Sequence, residues 1–343
     1  MLLGISTVHG NASIDNTTAN AGSVLTAIGR PEIPVYKGAN KPLVRPAVHA
    51  DAIHGESGVA GTDLMPQPKI PARLDVDAVD AMAEALLATP KGTAWLVATG
   101  TLTNVAVLIT KYPSVVPHIK GLSIMGGAIG GGFTSAPMGK VGATERYGNW
   151  TPYAEFNVAC DPEAAAAIFN TPELAAKTTL IPLDVSHQVF ATAEVQSMIL
   201  YGKDGKKERE EPNRLRRMLV ELLYFFADTY ATVFGLTDGP PLHDPIALAA
   251  VLEGTPYAVP FYDYKEGEEG RRERFDVLVK TEGTIEEAMV GLKETGRTVA
   301  TLLPEGREGV KIPRGLDVRN FWEMLEDALE KADEKNRADG NYQ

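Results

Sequence analysis

Short apolar runs rich in β-branched residues alternate along this chain with segments whose apolar positions recur at helical spacing. No other feature narrows the fold as much. Strand-like runs lie at residues 2–8, 35–36, 94–98, 122–125 and 179–183, and helical patterns at 14–28, 75–89, 102–108 and 161–169. Ser13 reads as the cap of the first helix, and Asp161-Pro162-Glu163 opens the last of these. Strands that alternate with helices over this length pair in parallel and are covered on both faces. The sequence therefore predicts an α/β fold with an open, mostly parallel, doubly wound central sheet and helices on both faces. Further strand-like runs follow at 257–263, 274–280 and 298–302, and an amphipathic helix at 319–335 closes the chain. Charged stretches at 203–217 and 265–274 mix signs and read as solvated loops or helix faces. No linker, internal repeat or low-complexity tract divides the chain, so residues 1–343 read as a single domain.

Ligands of open parallel sheets gather outside the carboxyl ends of the strands. Polar or glycine-rich tails follow strands here at Asn11, Thr99, Met125 to Gly132 and Asp184, and these are predicted to share one rim. The run at 125–132 holds five glycines in the seven residues 126–132 and leads on to Gly148-Asn149 and Ala154-Glu155-Phe156-Asn157. Glycine permits sharp turns and close approach of backbone to a ligand. A flexible surface loop would show the same glycines, but it would seldom end in amide and carboxylate side chains set among Trp150, Tyr153 and Phe156. Two phosphate-binding patterns fail: Gly139-Lys140 is followed by Val141, Thr134 stands where a Walker glycine is required, and no G-x-G-x-x-G register fits between Gly126 and Gly142. Amides and a carboxylate suit hydroxyl groups, since Asn both donates and accepts and Glu offers two acceptors.

Composition agrees with a small ligand. A formal net charge of -12 disfavours a nucleic-acid backbone or an anionic membrane surface as partner. The one cysteine, Cys160, excludes an intrachain disulfide framework and fits a reducing compartment. No apolar run reaches the roughly 20 residues of a membrane span, and residue 1 is not followed by a signal-peptide pattern. A soluble cytoplasmic protein is the expectation.

Two histidines stand out. His54 lies in His54-Gly55-Glu56-Ser57-Gly58, inside the aperiodic stretch 37–72, where a solvated side chain and a catalytic one are both open readings. His243 and Asp244 sit between Gly239-Pro240-Pro241 and an apolar helix running from Ile246 to Leu252. Asp244 ahead of Pro245 reads as a helix cap, and capping does not by itself require His243.

With these residues assembled, the chain resembles the inosine/uridine-type nucleoside hydrolases, most strongly over residues 2–252. The resemblance rests on Val8-His9-Gly10-Asn11, Thr99-Gly100-Thr101-Leu102-Thr103-Asn104, Met125-Gly126-Gly127, Gly148-Asn149 with Ala154-Glu155-Phe156-Asn157, and Leu242-His243-Asp244-Pro245, in that order. It implies a Rossmann-like nucleoside hydrolase fold and hydrolysis of the N-glycosidic bond of ribonucleosides to free base and ribose. The implied cofactor is calcium (Ca2+), which chelates the ribose hydroxyls and holds the attacking water. Asp244 and the Thr99 carbonyl are the implied metal ligands. Asn11, Met125, Asn149, Glu155, Asn157 and Asp244 are the implied sugar contacts, with His243 and His54 near the base and His243 the proton donor, an imidazole titrating near neutrality. The implied partner is a ribonucleoside, not a nucleic acid or a membrane, and the implied assembly is a homodimer or homotetramer.

One departure from the pattern bears on activity. The family's opening strand ends in D-x-D-P-G-x-D-D, which supplies a general base, two calcium ligands and a ribose contact, and no such cluster occurs here. Residues 2–8 correspond to the family's second strand, so one β-α unit is expected to be absent in front of Met1, and extremely slow turnover or none is expected of this chain. A catalytically silent nucleoside-binding or regulatory protein of the same fold is the alternative. A serine or cysteine nucleophile is disfavoured, because G-x-S-x-G is missing and Cys160 lies in the apolar run 156–160.

Overall fold

The computed structural model describes residues 1–141, 144–203 and 211–341. The chain opens with β1 (Ile5–Ser6), α1 (Ile14–Ala27) and β2 (Val35–Tyr36), and a long loop then carries the single turn α2 (Asp51–His54). Next come α3 (Ala78–Leu87), β3 (Trp95–Ala98), α4 (Thr103–Lys111), α5 (Val115–His118) and β4 (Gly121–Met125). A small hairpin of β5 (Lys140–Val141) and β6 (Thr144–Glu145) precedes α6 (Phe156–Cys160), α7 (Pro162–Phe169), α8 (Pro172–Ala175), β7 (Thr178–Ile181) and α9 (Leu183–Ser186). After α10 (Ala193–Tyr201), α11 (Arg214–Thr229) runs into a π-helical turn (Tyr230–Phe234), and α12 (Asp244–Ala249) ends in a 3-10 turn (Ala250–Leu252). The remainder is β8 (Phe261–Tyr262), β9 (Phe275–Val279), α13 (Ile285–Met289), β10 (Thr298–Leu302), β11 (Gly315–Leu316) and α14 (Val318–Ala338). None of these helices is long and apolar enough to cross a membrane, among the described residues.

β3, β4 and β7 form a parallel sheet in that order. Successive strand residues point to opposite faces, and the sequence obeys this on each strand. Leu96, Ala98, Leu122, Ile124 and Leu180 pack with α3, α4 and α7 through Val79, Leu86, Val105, Leu108 and Ile168. Val97, Met125 and Ile181 face the other way, against Ile246 and Ala247 of α12 and Phe321 and Trp322 of α14. Ser123 shares that second face, and its hydroxyl donates to the Ala247 carbonyl at 2.7 Å. Helices thus cover both faces, as the alternation of elements requires.

The sheet is nevertheless in two parallel pieces. β1 pairs with β2 alone, and among the described residues no strand pairs with the other edge of β1 or with the outer edge of β3. β4 and β7 are buried throughout, whereas Trp95, Leu96 and Val97 of β3 stay partly exposed. Side chains join the two pieces. Val8 lies against Gly100, Thr101 Oγ1 donates to the His9 carbonyl at 2.9 Å, and Asn104 Nδ2 donates to the Thr7 carbonyl at 2.8 Å. β9 with β10 and β8 with β11 add antiparallel pairs.

Several boundaries differ from the sequence expectation. Ser13 caps α1 through the Asn16 N–H, as predicted, but α3 starts later than residue 75 because Asp77 accepts from the Val79 and Asp80 N–H groups and fixes the cap there. Residues 2–8 form only the two-residue β1, and residues 257–263 only β8, each limited by the length of its partner. The strand expected at 179–183 stops at Ile181, since Pro182 leads into α9 and places Asp184 in a helical turn. Asp244 is not a cap: it is the first residue of α12, with His243 in the cap position and no side-chain capping bond. The charged stretch 203–217 is not all solvated. Residues 204–210 lie outside the described residues, but Arg216 is buried in α11 and pairs with Glu326 at 2.8 Å and Asp333 at 2.6 Å of α14, both also buried.

Candidate active site

β4 leads into the glycine run, and there the close approach is made by the protein's own groups. Gly127, at φ +78°, presents its N–H to Glu155 Oε2 at 2.9 Å. Gly130, at φ +66°, leaves space that the Tyr147 ring fills, so that a Cβ would lie 1.8 Å from it. Asp184 anchors the same turn by accepting from the Ile129 and Gly130 N–H groups, each at 2.8 Å. The glycines therefore shape the turn around Tyr147, Glu155 and Asp184, where the sequence pointed to a ligand.

Glu155 is the centre of the cluster of expected sugar contacts. It is buried and caps α6, with Oε1 accepting from the Asn157 N–H at 2.8 Å and Oε2 from the Val158 N–H at 3.1 Å as well as from Gly127. Burial pushes its carboxyl upward, and the three N–H bonds oppose that shift. Asn157 Nδ2 reaches Met125 Sδ at 3.5 Å, and Asn149 Oδ1 accepts from the Phe156 N–H at 2.9 Å. Trp150 stands edge-on to Phe156 at 4.8 Å. Four of the expected sugar contacts, Met125, Asn149, Glu155 and Asn157, thus meet around one turn. Cys160, at the end of the same helix, is buried, and burial pushes its thiol well above the usual range, which makes it inert.

His243 is engaged at both ring nitrogens. Nδ1 meets Ser186 Oγ at 2.7 Å and Nε2 meets the Tyr230 hydroxyl at 2.7 Å. The His187 ring lies 5.4 Å from that of His243, and the His54 ring packs edge-on against Phe226, also at 5.4 Å. Burial, then the His187 and His54 imidazoles, hold His243 well below the usual histidine range. Burial holds His54 at about 4, and it holds His187 at about 4 against the opposing Pro137 bond. All three rings are neutral at pH 7. This corrects the expectation of an imidazole titrating near neutrality: crowding by protein atoms strips solvation from the ring and disfavours the cation.

Asp244 lies beside this cluster. One side of it is open to solvent, while protein atoms crowd it on the others; burial, then the charge of Glu155, raises its carboxyl to about 7. The charges of Asp244 and Glu155 also add to burial in raising the Tyr230 phenol. The carboxylates and the Tyr230–His243 pair therefore share one electrostatic environment. Asn11 follows Gly10, which lies against Thr101 and Phe156, and Asn16 and Asn20 of α1 hold the Glu56 and Ser57 carbonyls beside His54 at 2.8 Å each. Among the described residues, no hydrogen bond joins Asn11 or Thr99 to Asp244 or Glu155.

Calcium takes six to eight oxygens. The oxygens of Glu155 and Asp184 are committed to backbone N–H groups, and no group of three or more His, Cys, Asp or Glu among the described residues is arranged to hold a metal. One carboxylate, Asp244, and one carbonyl, at Thr99, do not amount to a calcium site. The donor set present does not fit the ion.

A sequence profile of the inosine-uridine preferring nucleoside hydrolases matches residues 1–323. The chain belongs to that family. It is 37% identical over 339 residues to a uridine nucleosidase of Saccharomyces cerevisiae, covering 97% of this chain and 89% of that protein. It is also 37% identical over 250 residues to a pyrimidine-specific ribonucleoside hydrolase of Citrobacter koseri, covering 73% and 70%. A solved purine-preferring ribonucleoside hydrolase from Gardnerella vaginalis shares the fold, with a TM-score of 0.73 at 24% identity over 97% of this chain and 91% of that one. The nucleoside hydrolase fold expected from the motifs is thereby shown.

Sequence reasoning missed Tyr230, Ser186 and His187. Tyr230 follows Phe226 at helical spacing and looks in sequence like one more apolar position continuing α11. The π turn re-aims it, a device frequent at functional sites. Ser186 and His187 fall just beyond the expected strand, and only the unexpected α9 brings them to His243.

Proposed function

We propose that this chain is a ribonucleoside hydrolase that cleaves the N-glycosidic bond of uridine- or inosine-type nucleosides to free base and ribose. The convergence of Glu155, Asn157 and Asp244 with the Tyr230–His243 pair carries the reading. Cleavage of the C1′–N bond builds positive charge on the sugar and negative charge on the base. Glu155 and Asp244 put carboxylates on the sugar side, Asn11, Asn149 and Asn157 give the hydroxyls amide partners, and Met125 packs beneath. Tyr230, backed by His243, meets the base with a hydrogen-bond donor, and His54 lines the same side. Base release from uridine and inosine tests the proposal. Tyr230→Phe and His243→Ala should each lower turnover of uridine by about 10²-fold or more, and that of a riboside with a nitrophenolate leaving group much less. Equal losses on both substrates would remove the leaving-group role.

Asp244 and the Thr99 carbonyl are the groups this chain would offer to calcium, and the shortage of further oxygens favours a second reading, nucleoside binding without turnover. Measurable uridine binding with no base release would establish it. We also propose that residues 1–343 form one domain, that it works in the cytoplasm, and that it assembles as a homodimer or homotetramer, which light scattering would measure directly.

A further inference from the structure

We infer that Ser186 is a positioning residue, which acts through His243 to turn the Tyr230 hydroxyl hydrogen toward the base of a bound nucleoside. The inference rests on the ribonucleoside reading proposed above. Ser186 Oγ, the His243 ring and the Tyr230 hydroxyl form a line of two hydrogen bonds, each 2.7 Å long. A neutral imidazole brings one N–H and each hydroxyl one O–H, so three hydrogens serve two links. One hydrogen, at one end of the line, must point away from it.

The two ends are not equivalent. If His243 carries its hydrogen on Nδ1, it donates to Ser186, Tyr230 donates to Nε2, and the Ser186 hydrogen is left over. Ser186 is 0% exposed, and among the described residues its hydroxyl reaches no second acceptor. A buried donor without an acceptor loses its bond to water and gains nothing in return. If the hydrogen is on Nε2, Ser186 donates to Nδ1, His243 donates to the Tyr230 oxygen, and the Tyr230 hydrogen is the one left over. Tyr230 is less completely enclosed, at 6% exposure, and lies in the field of Asp244 and Glu155, whose negative charge favours a phenol hydrogen turned toward them. Satisfying Ser186 therefore forces the Nε2–H form of His243 and makes Tyr230 an outward donor.

His187 cannot play the same part. Its Nδ1 bonds to the Pro137 carbonyl at 2.7 Å and so carries the hydrogen, while among the described residues its buried Nε2 meets no partner. The chemistry that fits an outward phenol donor is an acceptor on the leaving base, a carbonyl oxygen or bare ring nitrogen of a pyrimidine or purine. Such an atom gains negative charge as the glycosidic bond breaks, and the hydrogen bond to Tyr230 strengthens with it. No proton has to leave the relay.

The test is ring 15N spectroscopy of the six histidines in the 343-residue chain, with His243 assigned by its loss in His243→Gln. The native protein should show the hydrogen of His243 on Nε2. Ser186→Ala should release the lock and give a mixture of tautomers or a switch to Nδ1–H, and Ser186→Thr should restore the native pattern. In parallel, uridine affinity should fall by about tenfold in Ser186→Ala and in Tyr230→Phe, with Ser186→Thr close to native. A native His243 with its hydrogen on Nδ1, or an unchanged Nε2–H form in a folded Ser186→Ala, overturns the inference. Absence of uridine binding by a native protein that shows the Ser186-dependent Nε2–H form instead sinks the nucleoside reading and leaves the relay standing.

Discussion

Asp244 carries a carboxyl whose folded surroundings oppose its charge. Its carboxyl is raised from the ordinary 3.8 to about 7 by burial and by the charge of Glu155. Below about pH 4 it is protonated in folded and unfolded chains alike and has no effect. Between 4 and 7 the unfolded chain ionises first, so stability falls as pH rises, and the loss is complete above 7. Asp244→Asn should therefore raise the melting temperature at pH 8 in chelator-treated protein and leave it unchanged at pH 4. A lower melting temperature at pH 8 would show that the ionised carboxylate is stabilised by a group not identified above. Glu155, Asn157 and the His243-Asp244 pair are legible in the amino-acid sequence, because each stands in a motif of fixed local spacing. Tyr230, Ser186 and His187 are not, because their roles depend on a π turn and a short helix that no local pattern announces.

Arg216 makes the corresponding point for helices. In sequence it belongs to a run of mixed charge, and nothing local separates it from its solvated neighbours Arg214 and Arg217. In the structure it ties α11 to α14 through Glu326 and Asp333 and donates to the Ile199 carbonyl of α10 at 2.6 Å. Its removal takes the bidentate guanidinium away from the fully buried Glu326 carboxylate. Arg216→Met should cost about 3–5 kcal/mol, read as a lower urea midpoint, and a change within about 0.5 kcal/mol, the scale of a surface substitution, would show that water replaces the guanidinium. Gly130→Ala meets both a left-handed φ and the Tyr147 ring, and should be rescued in part by Tyr147→Ala, which removes the clash but not the backbone strain. Core elements were legible because Leu122, Ile124 and Met125 of β4 and Leu180 and Ile181 of β7 form short apolar runs and the helices around them keep their period. Cap positions such as Asp77, and strands as short as β1 and β8, depend on partners far away in sequence.

For the molecule as a whole, the donor count predicts weak metal binding. Calorimetric titration of residues 1–343 with calcium should give a dissociation constant of roughly millimolar or weaker, and micromolar affinity would show that carboxylates now committed elsewhere rearrange around the ion. The division of the parallel sheet has a different consequence. β1, β2 and α1 meet the β3–β4–β7 sheet through Val8, His9, Thr101 and Asn104, with no backbone ladder between them. Such a seam can open without unfolding either side, so amides of β1, β2 and α1 should exchange with deuterium well before those of β4 and β7. On the reading proposed above, a nucleoside is held by Asn11 on one side of the seam and by Asn157 and Asp244 on the other. It then acts as a rivet: bound uridine should slow exchange in β1 and α1 while leaving β4 unchanged, so that occupancy of the site is recorded as stiffness across the molecule.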